Sequence, residues 1–230
     1  MKLTTLERLD LRLADADRLI EFHAHIGGAG PGRRHNMDVL NRSSLLLSVS
    51  AWEWFCEDLI RRNGASLAKR FKRADDLPVG VRDPMLEWYY NKTGMKSLNK
   101  TSKEALWSLA GHGWREIYRE YVASKTAALN TPNSDNLKKI FRSTLDIDDI
   151  TLSWRYQRWG PEIYVGKLED MLKLRHRIAH GDIGDEVVGK GAAVAAVALV
   201  RNLGRRSVES VSQNFKRFDL QGRNARLKPA

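Results

Sequence analysis

The sequence predicts an all-α fold, a helical bundle, from three observations. Apolar residues recur at spacings of three and four along most of the chain, and strand-like alternation is nearly absent. The intervals between periodic stretches hold the Gly, Pro and Asn residues that end helices. With 230 residues, of which 42% are hydrophobic and 29% charged, the chain can bury a sizeable core and is too apolar for wholesale disorder. One domain over residues 1–230 is expected.

The first helix is predicted over about Thr5 to His25, ending at a Gly27-Gly28-Ala29-Gly30-Pro31-Gly32 breaker that reads as a linker. A second, about Asn36 to Asn63, is apolar around most of its circumference through LLLSVSAWEWFCEDLI. It should be the spine of the core, stopped by Gly64. Residues 65–100 carry Pro78, Gly80, Pro84 and Gly94 and read as short helices and loops. A helix bearing Trp107, Trp114, Tyr118 and Tyr121 is expected over about Ser102 to Leu129, kinked near Gly111 and Gly113. Thr131-Pro132-Asn133 then breaks and caps a short helix through Ile140 and Phe141. Two more helices are predicted, Glu162 to His180, closed by Gly181, and about Gly191 to Phe218. A polar, basic, frayed tail follows over 219–230.

The formal charge is +11, and it is unevenly placed. Arg61 to Arg73 holds six lysines and arginines with no acid, and eight more follow from Arg201 onward against only Glu209 and Asp219. Such stripes suit a polyanion, because each neutralised phosphate releases condensed counterions, although a solvated basic surface has the same signature. Cys56 is the single cysteine and excludes an intramolecular disulfide, which fits a reducing cytoplasm. The first twenty residues mix acids and bases, and the longest apolar run, Ala192 to Val200, is too short to span a bilayer. Neither secretion nor a membrane span is expected. No P-loop or dinucleotide fingerprint appears, and His23, His25 and His35 lack a carboxylate cluster, so no metal and no cofactor is expected.

The stretch LRHRIAHGD, Leu174 to Asp182, carries the chemistry. On a helix projection Leu168, Met171, Leu172, Leu174, Ile178 and Ala179 form one apolar face with Arg175 near its middle. Arg177 falls on the opposite, solvent side, and His176 and His180 share a flank at i, i+4. A guanidinium facing a core or interface keeps its charge and needs an anionic partner. Glu53 and Glu57, in line with Val39, Leu46 and Ile60 on a face expected to be covered, are the candidates to hold Arg175 in place. The other reading of the same residues is a plain ion pair that fixes helix register, with the histidines capping the helix end. Of the seven tryptophans, most belong to helical apolar patterns. SWRYQRWG is less periodic, and its Arg155, Arg158 and Trp159 are candidates, with Arg177, to contact a single-stranded nucleic acid.

RHRIAHG, an R-x4-H spacing followed by glycine, resembles the signature of HEPN-domain proteins. NRSSLLLSVSAWEWFCEDLI, NTPNSDNLKKIF and KLEDMLKLRHRIAHGD, in that order, resemble the RiboL-PSP-HEPN branch. The resemblance implies a bundle with its core over about 36–64 and 131–218 and a variable helical insertion over about 65–128. It further implies a homodimer in which the two R-x4-H elements meet in one cleft, and metal-independent cleavage of RNA, with Arg175 and His180 as the matching residues. The position after the arginine, often Asn or Asp in relatives, is His176, which either assists proton transfer or replaces a polar contact. A toxin or antiviral defence effector, controlled by an antitoxin or other regulatory partner, is the setting such proteins suggest. In the branch whose toxin is modified by a partner nucleotidyltransferase, a tyrosine stands two residues after the histidine. Here it is Asp182, which argues against that route. A catalytically silent RNA- or nucleotide-binding module, or a helical dimerisation scaffold, remains the alternative.

In RNA the 2′-OH is a built-in nucleophile, so cleavage needs deprotonation, in-line geometry, charge stabilisation and a proton for the leaving group. Histidine titrates near neutrality, at about 6.5, and suits the acid and base roles. Arginine can grip a phosphate in bidentate fashion. Five positions set Arg175 and His180 about 140° apart on an ideal helix. A dyad within one chain therefore requires a loosened last turn, and a dimer cleft removes the difficulty.

Overall fold

The computed structural model describes residues 3–27, 37–94, 109–155, 158–182 and 187–226, and among them every regular element is helical. The helices are α1 (Thr5–Gly27), α2 (Asp38–Arg70), α3 (Val79–Thr93), α4 (Trp114–Ala127), α5 (Ser134–Leu145), α6 (Pro161–His180) and α7 (Lys190–Arg226), with short 3-10 turns at Ala74–Asp76 and Ile150–Ser153. No described helix is long and apolar enough to cross a membrane. The breaker after Gly27, Trp107 and the last four residues lie outside the described residues.

Contacts divide the chain into two compact units, to both of which α2 and α7 contribute. The first comprises residues 1–56, 132–134 and 151–208. Its core gathers Leu9 and Leu13 of α1, Leu45, Val49, Trp52 and Phe55 of α2, Leu168 of α6, and Val197, Val200 and Leu203 of α7. Trp52 donates its indole N–H to the Pro132 carbonyl (3.1 Å) and meets Trp154 edge-on, with ring centres 5.9 Å apart. Trp154 donates in turn to Ser207 Oγ (3.0 Å). Two large rings are thus buried with their polar atoms satisfied. Cys56 is buried beside Phe55 in sequence, at the boundary of this unit. At Gly204 a Cβ would lie 2.5 Å from Leu9 Cδ2, so the missing side chain lets α7 approach α1 closely. Asn41 donates to the carbonyl of Val188 (2.8 Å), tying the chain just before α7 to the start of α2, and Ser44 donates to Ala16 O.

The second unit comprises residues 57–131, 135–150 and 209–230. It is built around Leu59 and Ile60 of α2, Met85 of α3, Tyr118 and Tyr121 of α4, Phe141 of α5 and Phe215 of α7. The Tyr118 hydroxyl donates to the Thr144 carbonyl, and burial pushes its pKa well above the ordinary tyrosine value.

Four predicted elements are corrected. α2 does not stop at Gly64 but continues to Arg70, because Gly64 is buried where a Cβ would stand 3.1 Å from the Val122 methyls. The glycine serves a close helix crossing, and the real end is capped by Arg115, which donates to the carbonyls of Ala68 (3.0 Å) and Phe71 (2.8 Å). Residues 79–93 form one continuous helix despite Pro84. Gly94, at φ 61, ends it in the left-handed conformation that glycine adopts without strain. At the other end α7 runs on to Arg226, eight residues beyond the predicted limit at Phe218. The helix around Tyr118 begins, as α4, only at Trp114, since Gly111 (φ 59) belongs to a turn rather than a kink.

The basic stretches are also less free than their sequence suggests. Arg61, Arg62, Arg70 and Arg73 pair with Glu57, Asp58, Asp219 and Asp75. Arg201 is held by Asp10 (3.1 Å) and Asp17 (2.6 Å) of α1, and Arg217 by Asp146 (2.9 Å). Much of the clustered positive charge is therefore spent inside each unit.

Candidate active site

The site is built on α6 and on the part of α2 that precedes residue 57, both within the first unit. α6 starts with Pro161 in its first turn, where the missing N–H costs nothing, and Gly160 precedes it. Leu168, Met171 and Leu172 are buried and anchor the helix, whereas Leu174, Arg175 and Ile178 are half-buried and Ala179 is exposed. The predicted apolar face therefore fades over the last turn, where Ala179 is a correction. Arg177 is half-buried rather than fully on the solvent side.

Arg175 reaches across to α2 and donates from Nη2 to Glu53 Oε1 at 3.1 Å, with side-chain exposures of 35% and 25%. This half-buried ion pair is the only polar contact of the Arg175 side chain among the described residues. Glu57, the second candidate, is paired with Arg61 of its own helix at 3.5 Å. Val39, expected on the same covered face, is 52% exposed, which corrects that expectation. Above the pair, α6 remains helical through His180 and ends in a Schellman cap. Gly181 takes φ 74 and donates to Ile178 O (3.4 Å), while Asp182 donates to Arg177 O (2.9 Å).

His176 and His180, one turn apart and both exposed, lie ring against ring with centres 4.2 Å apart and planes tilted by 47°. The regular helix keeps Arg175 and His180 about 140° apart around the axis and about 7.5 Å apart along it. The last turn is not loosened. Asp170, Lys173, Leu174, His176 and Arg177 line a shallow concavity on the outside of α6. Asp170 and Leu174 also border an apolar groove of about 490 Å³ between α2, α6 and α7, lined by Leu45, Tyr164, Met171 and Leu199 among others.

The residues of SWRYQRWG separate. Trp154 is fully buried and belongs to the core, while Trp159 is 42% exposed with the Arg158 guanidinium 5.1 Å from its ring centre. Arg155 is exposed and donates to Leu152 O at 3.4 Å. Two supporting residues escaped the sequence reading. Glu169 of α6 accepts from both the backbone N–H (3.0 Å) and the hydroxyl (2.8 Å) of Ser134, so α5 is capped from another helix. Asn41 holds the Val188 carbonyl, just before α7. Neither signal is local, and no short-range pattern contains it.

No cluster of three His, Cys, Asp or Glu side chains is placed to hold a metal ion among the described residues. No curated protein and no solved structure matches the chain. A family model described as RiboL-PSP-HEPN matches residues 11–213, a span that contains Glu53, Arg175, His176 and His180. With that match over most of its length and an all-helical fold, the chain belongs to the RiboL-PSP-HEPN family.

Proposed function

We propose that this protein is a metal-independent endoribonuclease acting as a homodimer, with Arg175 and His180 at its centre. The observation that carries the reading is the Arg175–Glu53 pair beside two exposed imidazoles. A charged guanidinium is held in one orientation near a helix end, with imidazoles one and five residues further on. In the reaction a histidine takes the proton of the 2′-OH, and its oxygen attacks the adjacent phosphorus in line with the 5′-oxygen. Arg175 stabilises the charge developing on the phosphorane oxygens. The P–O5′ bond breaks, a second histidine supplies the proton, and the products are a 2′,3′-cyclic phosphate and a 5′-OH.

The separation of Arg175 and His180 around a regular helix supports a composite site, in which one protomer's His180 is base and its partner's is acid. The apolar groove beside the motif gives the second copy a face to cover. Arg155, Arg158, Trp159 and Arg177 are proposed to guide the RNA strand, and the setting is growth arrest or antiviral defence under a regulatory partner.

Labelled RNA incubated with wild type, Arg175→Ala and His180→Ala in EDTA tests this. Cleavage by the wild type alone, leaving cyclic-phosphate ends, is expected, and DNA should remain intact. The same helical separation favours one other reading, a silent RNA-binding module. Salt-sensitive RNA binding without cleavage by any of the three proteins would establish that reading instead.

A further inference from the structure

In the second unit Lys92 pairs with Glu120, Arg119 with Glu116 and Lys138 with Asp149. Lys139, the next residue of α5, has neither an acidic partner nor a side-chain hydrogen bond among the described residues. It is exposed and borders a pocket of about 310 Å³ between the end of α4 and α5. Lys125 of α4 borders the same pocket. Its ammonium lies 5.6 Å from the Tyr121 ring centre and has no acidic partner among the described residues. Standing in the last turn of α4, Lys125 also suits the carbonyls of that helix end, but Lys139 is in the middle of its helix and has no such task. The Asn130 amide and the Thr131 hydroxyl add donors to the wall, both without a hydrogen-bond partner among the described residues. The Ser143 hydroxyl reaches the Ile140 carbonyl only at 3.4 Å. No carboxylate is among the described residues that line the pocket.

The wall is built without a ligand. Asn136 donates to the Thr131 carbonyl (2.8 Å) and the Tyr121 hydroxyl to the Ser143 carbonyl (3.2 Å), which ties the loop and both helices together around the opening. Asn130, Thr131, Asn136 and Lys139 all belong to NTPNSDNLKKIF, a stretch to which the ribonuclease chemistry gives no task. We propose that this pocket is a phosphate-binding site, built from no residue of the LRHRIAHGD motif. The Lys125 and Lys139 ammoniums hold the anion, and Asn130, Thr131 and Ser143 donate to its oxygens. Two ammoniums brought to one pocket without an acid repel each other, and an anion between them removes that cost. Donors from two helices and their loop approach from several sides, which suits a tetrahedral group with acceptors all round better than a planar carboxylate. Small-molecule sites span roughly 300–1,000 Å³, so this one has room for a phosphate with a small group attached. The phosphate can belong to an RNA chain or to a free phosphorylated molecule, and the site does not depend on the ribonuclease reading.

The test is a titration of the isotopically labelled protein with inorganic phosphate at constant ionic strength, followed by amide NMR. Saturable shifts are expected at Asn130, Thr131, Lys139 and Ser143, and acetate should not reproduce them. Lys125→Gln and Lys139→Gln each remove one charge-assisted contact at an exposed position, so each should weaken phosphate binding roughly tenfold. Lys69→Gln with Lys72→Gln removes the same charge from exposed positions outside the pocket and should leave binding unchanged. Absence of saturable shifts at the pocket, equal shifts with acetate, or equal weakening by the two pairs of substitutions overturns the proposal. So does a Lys125→Gln, Lys139→Gln double variant that binds phosphate like the wild type. Competition by a 2′-O-methyl RNA oligomer, which lacks the attacking hydroxyl, then assigns the source. Displacement of inorganic phosphate by the 5′-phosphorylated oligomer alone marks an RNA end, and displacement by the 5′-hydroxyl form as well marks the RNA backbone. With the pocket shifts in place and neither oligomer competing, the ligand is a free phosphorylated molecule.

Discussion

Glu53 lies 122 positions from Arg175 in sequence, yet it is the group on which that guanidinium depends. A fully exposed ion pair contributes about 0–1 kcal/mol, and breaking a fully buried one costs about 3–5 kcal/mol. At one-third exposure the Arg175 pair belongs near the lower figure. Glu53→Gln should therefore shift stability by about 1 kcal/mol or less in urea unfolding while lowering RNA cleavage tenfold or more, since the guanidinium loses its fixed orientation. Tyr118→Phe should do the reverse. It strands the buried Thr144 carbonyl, costs about 1–3 kcal/mol in the same unfolding assay, and leaves cleavage by the folded fraction intact. At this scale the sequence was informative about Arg175, because a charged residue amid an apolar periodicity demands a partner. It left Glu53 and Glu57 equal, since both share a helix face and only the packed register distinguishes them. The His176–His180 spacing was visible too, but a ring contact depends on rotamers that spacing does not determine.

Among the elements, α6 was the most legible, because its apolar period, Pro161 and Gly181 are all local signals. The end of α2 was not. A glycine that stops a helix and one that lets another helix approach look the same until Val122 is in place. Gly181→Ala should cost about 1–2 kcal/mol by forcing an L-residue into the left-handed region, and the displaced final turn should lower cleavage as well. Gly204→Val should cost about 1–3 kcal/mol by overpacking against Leu9, despite valine's better helix propensity. Calorimetry on the two variants checks both. At the start of α1, the Thr4 backbone N–H and then its hydroxyl hold the Glu7 carboxyl below the ordinary glutamate value, in a reciprocal capping box. A lowered carboxyl favours folding in its ionised form. This contribution is complete above the ordinary glutamate range and disappears as pH falls through Glu7's lower native value. An NMR titration should show the Glu7 midpoint rising in Thr4→Ala.

At the scale of the whole molecule, the all-helical architecture follows from composition and periodicity, and the match over residues 11–213 gives it a family. The charge pattern was the weaker guide. Ion pairs such as Arg201 with Asp10 and Asp17 join residues far apart in the chain, so a net charge of +11 overstates what remains for an external polyanion. If two copies form the active cleft, Ala195→Glu, an exposed change on the α7 side of the groove and away from the motif, should shift the protein to monomer in analytical ultracentrifugation and abolish cleavage together. A monomeric variant that still cut RNA would exclude the composite site. Finally, the chain has one thiol, Cys56, and it is buried. A sulfhydryl reagent can react only with molecules that have opened, so its labelling rate is a clock for native-state opening. Slowing of that clock by added RNA would register binding without any label on the nucleic acid.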